Sequence, residues 1–173
     1  MKITLTDYAP DWPQRFEAEK TLLRQHISQP AVIEHIGSTA IPGLCAKPII
    51  DILIGVASLA RINEAVPQIE ALGYEYISAY EDQMPYRRFF RKWNNGIRTH
   101  HIHMVEEKST FWNRHLSFRD YLRAHHDIAA QYGELKRALA EKEWDDMNDY
   151  ADAKTAFIRD VEKRAAAKLP VFP

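Results

Sequence analysis

The chain has 173 residues, 46% of them hydrophobic, and carries 23 Lys and Arg against 24 Asp and Glu for a formal charge of -1. A chain of this size can bury roughly 70% of the surface its unfolded form exposes, enough for one domain over 1–173 with a single cooperative core. Balanced charge excludes a global field that would draw the protein onto a nucleic-acid polymer or an anionic membrane, so any phosphate site has to be local.

No stretch reaches the roughly 20 apolar residues of a membrane span. The opening "MKITLTDYAPDWPQRF" lacks the basic-then-apolar pattern of a secretory signal, and a cytoplasmic protein is expected. The single Cys45 has no partner for an internal disulfide and reads as a small packing residue.

The first predicted helix is capped by Asp11, carries Trp12, Phe16, Leu22, Leu23 and Ile27 near helical spacing, and ends near Ser28 to Pro30. "AVIEHI" predicts a short strand, and "PIIDILIGV" a second one, rich in β-branched residues and placed inside its sheet. Ser58 caps a helix over "LARINEAVPQIEAL", which Pro67 should kink or divide before Gly73 stops it. "YEYIS" follows as a third strand. "YRRFFRKW", "NNG" and "IRTHHIHMV" then predict a hairpin, because Asn-Gly supplies the positive φ angles of a tight reversal.

From Ser109 the pattern turns helical, with caps expected at Ser109, Asp127 and Asp145 or Asp146. The segments are "TFWNRHLSFRDYLRAH", "IAAQYGELKRALAEK" and "DMNDYADAKTAFIRDVEKRAAAKL". The fold class is therefore α+β, with α/β alternation at its start: a mixed sheet over about 31–107 and a helical half over about 109–168 that covers it.

One stretch raises a chemical question. In "EHIGSTAIPGLCAKPIIDILI" a strand ends at Ile36, Gly37 and Ser38 turn, and the next strand carries Asp51 among apolar residues. A carboxylate there is costly unless it is paired or binds a cation. Small residues at the turn let backbone N–H groups approach an anion, with hydroxyls from Ser38 and Thr39 beside them. A phosphate-bearing small molecule, such as a nucleotide, suits such a turn, with a divalent ion held by Asp51.

The pattern resembles the signature of the nucleotidyltransferase superfamily related to polymerase beta. More closely, "HIGSTAIPGLCAKPIIDILI" resembles the hallmark of the GrpB family, with "HHIHMVE", "WNRHLSFRDYLRAH", "YGELKRALA" and "YADAKTAFI" as further matches from about Tyr8 to about Ile158. The resemblance implies a nucleotidyltransferase-like mixed sheet, and some relatives are fused to dephospho-coenzyme A kinase. It carries no general reaction with it.

Superfamily enzymes place a second acid two residues after the first, so that two carboxylates bridge two metals. Here that position is Leu53. Strand geometry puts Thr99, His101 and His103 on one face, which offers Asp51, His101 and His103 as a substitute ligand set for a divalent ion. Magnesium would come with a nucleotide; manganese or zinc suits imidazoles better. The plainer alternative is a pair of hydrogen-bonded strand histidines. Glu81 or Asp82 in "YEDQMP" is another source of the missing carboxylate.

His35 shares a strand face with Gly37 and is a candidate general acid or phosphate donor, or else a histidine closing the strand; Glu34 reads as surface or paired with a base. Lys47 sits at the loop edge, within reach of a phosphate chain. On the hairpin, Arg88 and Lys92 share one face and Arg87 and Arg91 the other, and one pair should meet the cleft; Arg88 is the candidate taken. His115, Arg119 and Arg123 recur at helical spacing as a cationic stripe, with Arg119 central. Lys154 shares a face with Tyr150 and is a candidate catalytic lysine if its helix returns to the cleft.

Three functions follow. The first is metal-dependent transfer of a nucleotidyl group to a small molecule or protein. The second is a phosphoester hydrolase using Asp51, His101 and His103. The third is a nucleotide- or coenzyme-binding module without turnover, which Leu53 favours.

Overall fold

Continuous β-branched sequence dictates the centre of the molecule. The computed structural model describes residues 2–167, so the end of the third predicted helical segment, from 168 onward, lies outside the described residues. β1 (Val32–Ile36), β2 (Ile50–Val56), β3 (Tyr74–Tyr76), β4 (Arg88–Asn94) and β5 (Ile97–Glu106) form one mixed sheet in the order β1-β2-β5-β4-β3. β2 runs between antiparallel β1 and parallel β5, the interior position its apolar run predicts. β4 and β5 make the expected hairpin, with Asn95 (φ 50°) and Gly96 (φ 75°) at its turn.

The alternation of side chains along β2 divides the molecule. Ile50, Ile52, Ile54 and Val56 join Phe90, Ile102 and Met104 on one face, where Trp12, Phe16 and Leu23 of α1 (Trp12–His26) and Ile62, Ala65 and Ile69 of α2 (Leu59–Glu70) cover them. Full burial of each aliphatic side chain contributes about 1.5–3 kcal/mol, which makes this layer the main source of stability. On the other face Ile36, Leu53 and Val105 pack against Phe111 and Trp112 of α3 (Thr110–Ala124). Asp51 belongs to this second face.

α4 (His126–Ala140) and α6 (Thr155–Ala167) complete the helical half with α3 around Ile41, Leu44, Leu122, Tyr132 and Val161. Short α5 (Met147–Asp152) sets Tyr150 against Ile3 and Leu139. No helix among the described residues is long and apolar enough to cross a membrane.

Four local expectations change, the first at Asp11, which precedes α1 without a side-chain cap hydrogen bond. Pro67 lies inside α2 without dividing it, because Ile62 and Ala65 before it and Ile69 after it are all anchored on the sheet. Asp127 is not a cap: α3 and α4 meet at His125, which leaves Asp127 in the first turn of α4, where its charge suits the positive helix end. Ser58, Ser109 and Asp146 do cap, the last through a reciprocal capping box with Asp149. The third predicted helical segment is broken at Ala153 and Lys154; Lys154 N–H closes a tight turn on Ala151 O at 3.2 Å, and Lys154 O opens α6 by accepting from Ile158 N–H at 3.1 Å.

Candidate functional site

Asp51 explains the glycine before it. In the antiparallel register Ile36 lies opposite Asp51, and the chain then turns at Gly37 with φ 70°. A Cβ at position 37 would stand 2.4 Å from Asp51 Oδ2, so the carboxylate is packed against backbone that only glycine leaves open. Ser38 to Ala40 continue as a single 3₁₀ turn.

A cavity of about 160 Å³ opens beside this turn, lined by Asp51, His101, Ser38 and Thr39. Lys47, Arg98, Lys136 and Lys154 line the remainder together with Tyr150. His101 Nδ1 donates to Asp51 Oδ1 at 3.0 Å, which fixes the proton on Nδ1; its Nε2 is buried without a hydrogen-bond partner. Tyr150 is 3% exposed, and its hydroxyl also has no partner. Lys154 Nζ lies 4.0 Å and Lys47 Nζ 4.8 Å from the centre of the Tyr150 ring. The buried Lys136 ammonium donates to the carbonyl of Cys45. Cys45 itself is a packing residue, its Sγ–H directed at Gly133 O 3.6 Å away.

The cations disturb one another. Burial and the neighbouring Lys47, working against the pull of Asp51, bring Lys154 down to about 8. Burial, relieved partly by Cys45 and aggravated by Lys154 and Arg137, brings Lys136 to about 8. Lys47 is lowered by burial and by Arg98, against Asp51.

These shifts have a sign. From about 8 to the usual 10.5 the unfolded chain holds more lysine protons than the folded one, so stability rises with pH in that window. The burial cost of both ammonium groups is present in full below pH 8 and fades above it. The gain should be visible up to about pH 10, where buried Tyr74, Tyr132 and Tyr150, all shifted upward mainly by burial, begin to oppose it. Urea unfolding at pH 8, 9 and 10 is expected to show the rise in the native chain and a smaller one in Lys154→Met; equal slopes would contradict it.

The structure brings Asp51, Ser38, Thr39, Lys47, His101 and Lys154 together, with Gly37 behind the carboxylate. It does not bring in the other candidates. His35 lies on the Ile52 face, stacked on Phe16 at 4.7 Å, because strand alternation sends it to the opposite side from Asp51. Thr39 Oγ1 donates to Ile49 O at 3.2 Å and so receives Nε2–H of His35 at 3.0 Å; burial lowers His35 to about 4 and keeps it neutral. Its contact with the site is through Thr39.

Arg88 likewise faces α2, with Nε on Asn63 Oδ1 at 2.9 Å and Nη2 on Glu81 at 3.0 Å. That pairing also removes Glu81 as a second carboxylate, while Asp82 is exposed and outside the cavity. Arg119 ties α3 to β1 through Glu34 at 2.6 Å and His35 O at 3.0 Å, and Arg123 holds Ala40 O at 2.9 Å. The expected stripe is thus a clamp on the turn, with Glu34 paired as anticipated.

His103 is on the Asp51 face but is sealed among Phe89, Phe111 and His115. Arg87 Nη1 donates to its Nδ1 at 3.1 Å, and burial beside that guanidinium pushes it well below the usual histidine value. Among the described residues no three His, Cys, Asp or Glu side chains are grouped so as to hold a metal ion.

Arg98, Lys136 and Tyr150 are the site residues that candidate selection passed over. Strict alternation separates Arg98 from His101, but the β4–β5 register slips between Lys92 and Trp93, leaving Thr99 as an extra residue and returning Arg98 to the pocket side. Lys136 carried a legible signal: it falls on the buried stripe Ala129, Tyr132, Leu139 of α4, an unusual place for a lysine.

The GrpB protein family profile matches residues 2–164. The chain belongs to the GrpB family. It is 41% identical over 165 residues to the UPF0157 protein YqkA of Bacillus subtilis, covering 95% of this chain and 47% of that protein, so it spans about half the length of that relative. The crystal structure of the conserved protein GrpB from Enterococcus faecalis is similar at a TM-score of 0.85 and 40% identity, over 95% of this chain and 98% of that one. The Cid1 poly(U) polymerase, in its MgGTP-bound crystal structure, is similar at a TM-score of 0.54 and 13% identity over 79% of this chain and 45% of that one. The GrpB chain therefore has a nucleotidyltransferase-like fold, as the sequence resemblance implied.

That fold implies a divalent ion, and the donor set of this GrpB chain does not fit one. Leu53, at the position of the second acid, is wholly buried between strands and α3. Asp51 Oδ1 is taken by His101 Nδ1–H, His103 by Arg87, and among the described residues the remaining charged groups of the cavity are cations.

Proposed function

We propose that this chain binds the phosphates of a nucleotide or similar small molecule in the Asp51 cavity and transfers the nucleotidyl group to an acceptor hydroxyl. The observation that carries the reading is the convergence of Lys47, Arg98, Lys136 and Lys154 on a single carboxylate at the Gly37–Ser38 turn. At about 160 Å³ the cavity suits phosphates rather than a whole nucleotide. A second cavity of about 290 Å³, which shares Ser38 and is walled by Phe118, Tyr132 and Ile158, offers apolar surface for the rest of the donor or for the acceptor.

In this reading Asp51, oriented by His101, accepts the proton of the acceptor hydroxyl. The acceptor oxygen attacks the α-phosphorus, the bond to the leaving pyrophosphate breaks, and the charge that develops on it falls among the lysines.

The test is release of pyrophosphate from nucleoside triphosphates, run beside calorimetric binding. Asp51→Asn is expected to lower turnover about 10²- to 10⁴-fold while binding persists. Failure of all four triphosphates to bind would sink the proposal. Leu53 favours a second reading, a binding module without chemistry, since the packing of that side chain removes the second acid. Tight binding with no release across a panel of hydroxyl acceptors would select it.

A further inference from the structure

Lys47, Arg98, Lys136 and Lys154 line the Asp51 cavity. We infer that the Asp51 cavity binds a diphosphate or triphosphate group free of any divalent cation, with Lys47, Lys154 and Arg98 neutralising its charge and Asp51 opposing its binding. The inference rests on the phosphate-binding reading above and goes beyond it, because that reading does not say whether a divalent ion accompanies the phosphate.

The geometry supports it from both sides. An ion bridging protein and phosphate needs carboxylates with free lone pairs turned to the ligand. Among the described residues Asp51 is the one carboxylate lining this cavity; one oxygen is bonded to His101 and the other is packed against the Gly37 backbone. The strand position that would add a second acid is filled by Leu53, wholly buried with Ile36, Val105, Phe111 and Trp112. Against this lone carboxylate stand four cationic side chains, one more than is needed to match the three negative charges of a bound pyrophosphate ester.

The cations also repel one another. Arg98 depresses Lys47, Lys47 depresses Lys154, and Lys154 depresses Lys136, a chain of like charges for which Asp51 supplies one counter-charge. Two of them are held over the ring of Tyr150, a lining residue whose buried hydroxyl has no hydrogen-bond partner among the described residues. An anion relieves all of this at once; a hydrated dication brought in beside it adds to the repulsion.

Inorganic pyrophosphate is the probe, titrated into the full chain by calorimetry in EDTA and again in excess magnesium. Binding is expected in EDTA and is not tightened by magnesium, which competes for the probe. Lys154→Ala and Lys47→Ala should each weaken it about 10- to 100-fold, the range of a charge-assisted hydrogen bond. Asp51→Asn should tighten it severalfold, because it removes the opposing charge. Lys154→Gln serves as a second variant if Asp51→Asn does not fold, and circular dichroism decides that point. Binding that requires magnesium, or that is lost in a folded Asp51→Asn, overturns the inference while leaving phosphate binding intact. No binding with or without magnesium removes both.

Discussion

Replacing Gly37 by alanine is expected to destabilise the protein by about 3 kcal/mol and to abolish anion binding at the Asp51 cavity. Two costs add. The backbone at φ 70°, ψ -172° lies in a region open essentially to glycine alone, which a residue with a Cβ adopts at a cost of about 1–3 kcal/mol. The new Cβ would also stand 2.4 Å from Asp51 Oδ2 and 3.0 Å from Asp51 Cβ, so the carboxylate must move and break its bond to His101. Gly43 separates the two: its φ is 77°, and nothing lies within 4 Å of its missing Cβ, so Gly43→Ala carries the backbone cost alone. Urea unfolding of both variants, with the Gly37→Ala, Asp51→Ala double variant, completes the comparison. The double variant should recover part of the loss, since the clash is then removed and the φ strain remains. A Gly37→Ala cost no larger than that of Gly43→Ala would show that the carboxylate yields freely and that the turn does not position it.

Much of this site could be read from the chain. The order of strands and helices, the Asn-Gly hairpin and the placement of Asp51 beside a Gly-Ser turn follow from local patterns that tertiary structure had no reason to override. What was hidden depended on geometry beyond a single element. His35 shares a strand face with Gly37, yet Asp51 lies opposite Ile36, so the register with β2 sends His35 to the other side of the sheet. Arg98 reaches the pocket through a slip in pairing that leaves Thr99 unpaired with a residue of β4, and no spacing rule announces that slip. His103 has the spacing of a metal ligand, but Arg87 and the rings of Phe89 and Phe111 fill the space around it. Lys154 was found because a helix face can be counted. The break that points it at Tyr150 required the structure.

Leu53→Asp, which writes the superfamily's second acid back into the strand, is expected to cost about 4–5 kcal/mol and to leave the chain largely unfolded. Sequence logic alone would forecast a repaired two-carboxylate centre, since positions 51 and 53 share a face. The structure forecasts the reverse. Leu53 is wholly buried among Ile36, Val105, Phe111 and Trp112, and the polar residues in register with it are already engaged, Glu34 by Arg119 and His103 by Arg87. The cations of the cavity line Asp51 rather than this cluster, and Arg87 and Arg119 are held by His103 and Glu34, so a new carboxylate would be desolvated at a net cost. Leu53→Met keeps the volume and should cost less than about 1.5 kcal/mol, which distinguishes buried charge from a general intolerance of substitution. The deficit of Leu53→Asp should also shrink as pH falls toward the usual aspartate value of about 4, because a neutral carboxyl is easier to bury than a charged one. Denaturant midpoints at pH 7 and pH 5 measure both expectations. A folded Leu53→Asp chain that took up stoichiometric manganese would mean that α3 opens readily from β2, and that the acid was lost from this strand for chemical reasons rather than packing ones.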